Sequence, residues 1–129
     1  MAPDPGDLAG WEAITVAVGE ETLLVALADE AAERAAGLSR IENLGELDGM
    51  LFAFPQDTRT GFWMKDTLIA LDIAFFGMDG DLVDRFTMEL CEADPCPIYS
   101  AAVPFRWALE TPEGMLGPLP PDARLVVDP

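Results

Sequence analysis

Lys65 is the only lysine in a chain of 129 residues that carries 24 acidic side chains and no histidine. It stands in "FWMKDT", Phe62 to Thr67, among aromatic and apolar neighbours rather than on a plainly polar stretch. If this segment is extended, Trp63, Lys65 and Thr67 share one face. One reading lays the lysine methylenes over Trp63 and pairs the ammonium with a carboxylate such as Asp72. The other makes Lys65 a positive point at the rim of an aromatic-lined cleft that holds an anionic or hydroxylated ligand. Spacing leaves both open.

The missing histidine removes whole mechanisms. No Ser-His-Asp or Cys-His pair, no imidazole base and no histidine-ligated metal is available, so catalysis would fall to carboxylates, Lys65, the sole tyrosine Tyr99 or the cysteines. No metal site and no cofactor is expected. Cys91 and Cys96, in "ELCEADPCPIY", flank a turn with Asp94 and Pro95. They are candidates for a small-loop disulfide if their α-carbons come within about 7 Å. A zinc site needs a second thiolate pair that the chain lacks, and a reactive thiol pair would sit among Glu89, Glu92 and Asp94, whose charge disfavours the thiolate. Tyr99, among prolines, is a candidate binding residue. Trp107 lies in an alternating run and reads as core, and Asp79 with Asp81 reads as turn chemistry rather than a calcium loop.

The elements that position these residues follow from period. Half the chain is apolar, which supports a packed core despite a formal charge of -17. The excess of acid repels phosphate backbones and anionic lipid, arguing against nucleic acid as a partner. It serves solubility, or adaptation to a salty host. No apolar run is long enough to span a membrane, and "MAPDPGDLAG" lacks the pattern of an export signal. This leaves a cytoplasmic protein, or the mature or trimmed form of an exported one.

Residues 1–11, rich in proline and glycine, read as a flexible tail, and 12–129 as a single domain. "ITVAV" and "TLLVALA" read as a hairpin. "DEAAERAAGL" reads as a two-turn helix capped by Asp29 and stopped by Gly37. "MLFAF" and "GFWMK" read as strands, "LDIAFF" and "DLVDRFTME" as a second hairpin about "GMDG", and "RLVV" as a last strand. "PFRWALE" alternates, with Phe105, Trp107 and Leu109 inward and Arg106 and Glu110 outward. Connections this short disfavour parallel crossovers. The expected fold is α+β but mainly β: a compact, mostly antiparallel curved sheet or small barrel with one or two short helices.

The blocks "ERAAGLSR", "GMLFAFP", "FWMKDTLIALDIAFF", "DGDLVD", "DPCPIY" and "FRWALETPEG", in that order, resemble the domain of unknown function 192 family over nearly all of Ile14 to Val127. The family's recurrent residues correspond here to Gly37, Leu38, Gly49, Met50, Phe62, Trp63, Met64, Lys65, Thr67, Leu71, Asp72, Cys96, Tyr99 and Glu110. Ser39, Asp66 and the "ELC" before Cys91 depart from its pattern, and Asp66 sets a negative charge beside Lys65. The resemblance implies an antiparallel sheet with short helices. Because many members are exported or lipid-anchored, it also implies a periplasmic or cell-surface home and an oxidised Cys91–Cys96 pair. It implies no activity. Three functions follow as expectations. The first is a noncatalytic binding or accessory module of the cell envelope, recognising a small molecule, glycan or protein through Trp63, Lys65, Asp72 and Tyr99. The second is a small enzyme using Asp72 and Lys65, and the third is a structural motif with function elsewhere on the surface. A monomer is the default state.

Overall fold

The computed structural model describes residues 3–117 and 119–129. Seven strands form one curled sheet: β1 (Ala13–Val18), β2 (Glu21–Ala28), β3 (Gly49–Thr58), β4 (Leu71–Phe76), β5 (Leu82–Met88), β6 (Phe105–Pro112) and β7 (Leu125–Val127). Their spatial order is β5-β4-β6-β3-β2-β1-β7. The helix α1 (Ala31–Ala36) is short.

All neighbours pair antiparallel except β2 and β3, which run parallel from Val25↔Gly49 to Ala28↔Phe52. Short connections argued against any parallel pair. The exception arises in the stretch from Asp29 to Asp48, which carries α1 and is long enough for a crossover. That crossover sets α1 over the sheet.

Both faces of the sheet are covered, which explains why every residue of β4, "LDIAFF", is buried. One face, with Val16, Val25, Leu51, Phe76 and Leu109, also gathers Leu82 from the β5 edge and Leu125 from the β7 edge, so it is the face the curl encloses. The two edges meet where Asp81 bridges Arg124 and the Leu125 N–H donates to the Gly80 carbonyl at 2.8 Å. The opposite face, with Phe52, Ile73, Phe75, Phe105 and Ala108, lies beneath the loops that bring Leu38, Leu44 and Met64 over it.

Three local expectations are corrected. The described part of the N-terminal segment is docked rather than loose. Gly6–Leu8 forms a 3-10 turn, Leu8 is fully buried, and the Asp7 carboxylate accepts the N–H groups of Glu42 and Asn43. Backbone bonds from the Asp7 N–H to the Asn43 carbonyl and from the Glu46 N–H to the Asp4 carbonyl, 2.7 and 2.6 Å, add to this anchor; Met1 and Ala2 lie outside the described residues. "GFWMK" is not a strand, since its sheet-like pairing is a single bridge, Phe62↔Tyr99. Finally, Glu110 is buried rather than exposed, because the face opposite Trp107 and Leu109 is itself covered. The register between β3 and β6 shifts between Ala53 and Thr58, so Phe105 packs on the covered outer face while Trp107 and Leu109 join the enclosed one. Glu110 follows Ala108 onto Phe105's side.

Helix α1 starts differently from expectation as well. Glu30 rather than Asp29 is the cap residue, and the Glu33 carboxylate reaches back to accept the N–H groups of both Asp29 and Glu30 at 3.2 Å. Gly37 ends the helix at φ 51°, where a side chain would be strained, and a Cβ there would stand 3.3 Å from the Phe52 ring.

A cavity between helix α1 and the Phe62–Thr67 segment

The crossover and the β3–β4 connection enclose a cavity of about 530 Å³ on the covered outer face, within the size range of small-molecule sites. Ala31, Arg34 and Ala35 of α1 form one wall, and residues from Thr60 to Thr67 form the other. Phe52, Phe54 and Glu110 of the sheet form the floor.

The second wall is held at three points. The backbones of Phe62 and Tyr99 exchange two hydrogen bonds, 2.8 and 2.7 Å. Met64 is buried in the core beneath the cavity. Asp66 adopts φ 60° and its carbonyl accepts the Arg40 N–H at 2.8 Å. With Phe62 and Met64 turned inward, Trp63 and Lys65 are left on the outer side: Trp63 is 52% exposed, and the Lys65 Nζ lies 5.4 Å from its ring centroid.

Lys65 makes no ion pair among the described residues. The neighbouring Asp66 carboxylate is engaged instead by Arg40, at 3.6 Å. Arg34, on the helix wall, donates one Nη1 bond to the Ala53 carbonyl at 3.0 Å and stacks its guanidinium 5.2 Å from the Phe54 centroid, leaving its other N–H groups free to serve the cavity.

Glu110 is the residue the sequence analysis missed. It is 4% exposed, flanked across the ladders by Met50 and Ile73, and its carboxyl oxygens, which no described residue hydrogen-bonds, open onto the cavity. Burial pushes its carboxyl up from 4.5 to about 8, so the acid is largely protonated at neutral pH. Gly49 makes room for the strand here, because a Cβ at that position would collide with the Glu110 carbonyl oxygen. Two signals pointed to Glu110: its place among the residues that the family resemblance singles out, and an acid directly after the apolar run "WAL".

Of the four ligand-binding residues proposed from sequence, Trp63 and Lys65 border the cavity, whereas Asp72 and Tyr99 do not. The Asp72 carboxylate is buried and fully engaged, accepting the Thr87 hydroxyl at 2.9 Å and the N–H groups of Gly114 and Leu116 at 2.9 and 3.1 Å. It is therefore no partner for Lys65. Tyr99 contributes its backbone to Phe62, and its half-buried ring lies 6.1 Å from that of Phe86. Cys91 and Cys96 are joined in a disulfide with α-carbons 5.6 Å apart. Among the described residues, no three metal-ligating side chains converge, and no helix is long and apolar enough to cross a membrane.

Two crystal structures share this fold. A protein of unknown function from Novosphingobium aromaticivorans DSM 12444 superimposes with a TM-score of 0.82 at 26% identity, covering 98% of this chain and 93% of that one. A "putative transcription regulator" from Sinorhizobium meliloti 1021 superimposes with a TM-score of 0.81 at 24% identity, covering 91% of this chain and 95% of that one, a likeness of fold alone. Comparison with curated proteins gives no match. The family model of DUF192, described as "Uncharacterized ACR", matches residues 14–120. With most of its length inside that match, this chain belongs to the DUF192 family.

Proposed function

We propose that the protein is a noncatalytic binding module of the cell envelope that takes a small molecule into the cavity between α1 and the Phe62–Thr67 segment. The observation that carries this reading is the Glu110 carboxyl. The acid opens onto a roomy aromatic-lined space with no hydrogen-bond partner among the described residues, and a ligand there would supply one. Lys65, in a chain of 24 acids and without an ion pair among the described residues, adds a second uncommitted group at the same cavity. The disulfide suits an oxidising compartment and so favours the envelope. The regulator name attached to the Sinorhizobium relative is not extended to this chain, whose charge of -17 opposes binding to DNA.

The test is a thermal-shift and native mass-spectrometry screen of small polar aromatic compounds. It compares the wild type with Ala35→Trp, which fills the cavity from an exposed helix position. Ligands that stabilise the wild type and are lost in Ala35→Trp support the reading. Ligands that bind both proteins equally, or none that bind the wild type, overturn it.

One observation favours a second reading. An acid titrating near pH 8 is poised for general acid–base work. An enzyme would therefore act through Glu110, since Asp72 is consumed by its three donors.

A further inference from the structure

We infer that the ligand of this cavity is a compact zwitterion, with a protonated nitrogen set on Glu110 at the floor and an anionic group held at the mouth by Arg34 and Lys65. This rests on the cavity being a binding site, as argued above.

The ionisable groups of the cavity are sorted by sign and by depth. The only deep one is Glu110. The strands beside it present Met50 and Ile73, which carry no charge, so nothing in the sheet compensates the carboxylate. The basic groups, Arg34 from α1 and Lys65 from the opposite wall, are half-buried and exposed respectively. Each keeps uncommitted N–H donors. Asp66, the remaining ionisable group, lies 3.6 Å from Arg40 and forms no direct ion pair with Lys65.

A ligand matched to this arrangement is cationic at its inner end and anionic at its outer end. A neutral amide or alcohol would satisfy the protonated acid but leave the two basic groups unused. A cation does more, because it draws the proton off Glu110 and turns a desolvated carboxyl into a charge-assisted acceptor. The rings of Phe52, Phe62 and Trp63 bury the apolar body between the two ends and favour the cation. A purely anionic ligand meets the repulsive field of the whole chain and finds no donor at the floor other than the acid itself.

Four probes built on one phenyl ring separate these cases: L-phenylalanine, phenethylamine, 3-phenylpropionate and 3-phenylpropanamide. Binding is read by titration calorimetry near neutral pH in two buffers of different ionisation enthalpy. L-phenylalanine is expected to bind about tenfold or more tightly than the amide, with release of close to one proton. Glu110→Gln, isosteric with the protonated acid and so compatible with the fold, should lose about tenfold for both amines and abolish the proton release. Lys65→Gln should weaken L-phenylalanine and 3-phenylpropionate but not phenethylamine. If the amide or the propionate binds wild type more tightly than L-phenylalanine, or if Glu110→Gln leaves the ranking intact, the zwitterion is wrong while cavity binding stands. If no probe binds saturably at millimolar concentration and Ala35→Trp behaves as wild type does, both readings fall together.

Discussion

Asp72 and Glu110 lie one register step apart on the paired strands β4 and β6, and their carboxyls leave the sheet on opposite faces. Asp72 stands across from Thr111, and Glu110 stands across from Ile73. The first meets three donors on its side, and the second meets a cavity. Two buried acids of similar chemistry thus divide into one that holds loops in place and one that faces a cavity.

For Asp72, the division predicts a stability cost without a binding cost. Asp72→Ala strands the N–H groups of Gly114 and Leu116 and the Thr87 hydroxyl, so unfolding free energy should fall by about 2–4 kcal/mol. Urea denaturation monitored by tryptophan fluorescence measures it. A variant as stable as wild type would show that the carboxylate is replaceable by water.

Glu110→Gln should do the reverse, and in a pH-dependent way. The folded-state value of Glu110 lies above its ordinary one, so between about 4.5 and about 8 the unfolded chain gives up a proton that the folded chain keeps. Folding stability of the wild type therefore declines across that window, by several kcal/mol at roughly 1.4 kcal/mol per unit, and is lost no further above it. The variant has no such loss. Its advantage over wild type should be near zero at about pH 4 and largest at about pH 9; a pH-independent difference in denaturation midpoint would contradict the desolvated carboxyl.

Lys65→Met separates scaffold from site. The side chain is exposed and forms no ion pair among the described residues, so stability should change by less than about 0.5 kcal/mol. A large drop in melting temperature would assign Lys65 to the fold instead.

The disulfide predicts a coupling. Cys91 and Cys96 close a short loop that leads directly to Tyr99, whose backbone pins Phe62 beside the cavity. Replacing both cysteines with serine should cost about 2 kcal/mol. Amide exchange should also accelerate at Tyr99 and Phe62 ahead of the strands. Unchanged exchange at those two amides would mean that the loop and the cavity wall are independent.

Much of this fold was readable from side-chain period and turn chemistry. The β4–β5 hairpin with its glycine turn, the hairpin of β1 and β2, and the stop of α1 at Gly37 follow from local residues whose neighbours in space are neighbours in sequence. What was not readable depended on distant partners. The burial of Glu110 follows from the loops that cover the face opposite Trp107 and Leu109, which no alternation within "PFRWALE" announces; the register shift against β3 displaces Phe105. Tyr99 contributes a backbone bridge and Asp72 a loop anchor, and residue type alone does not separate such roles from ligand contact. The parallel placement of β2 beside β3 hinges on how the whole Asp29–Asp48 stretch packs.

Apart from Arg34, the helical wall of the cavity is built from alanine and glycine, with Ala31 and Ala35 lining the space and no residue of α1 buried. Shape selectivity is thereby separated from the scaffold. Larger side chains at those two exposed places would resize the chamber without disturbing a single strand.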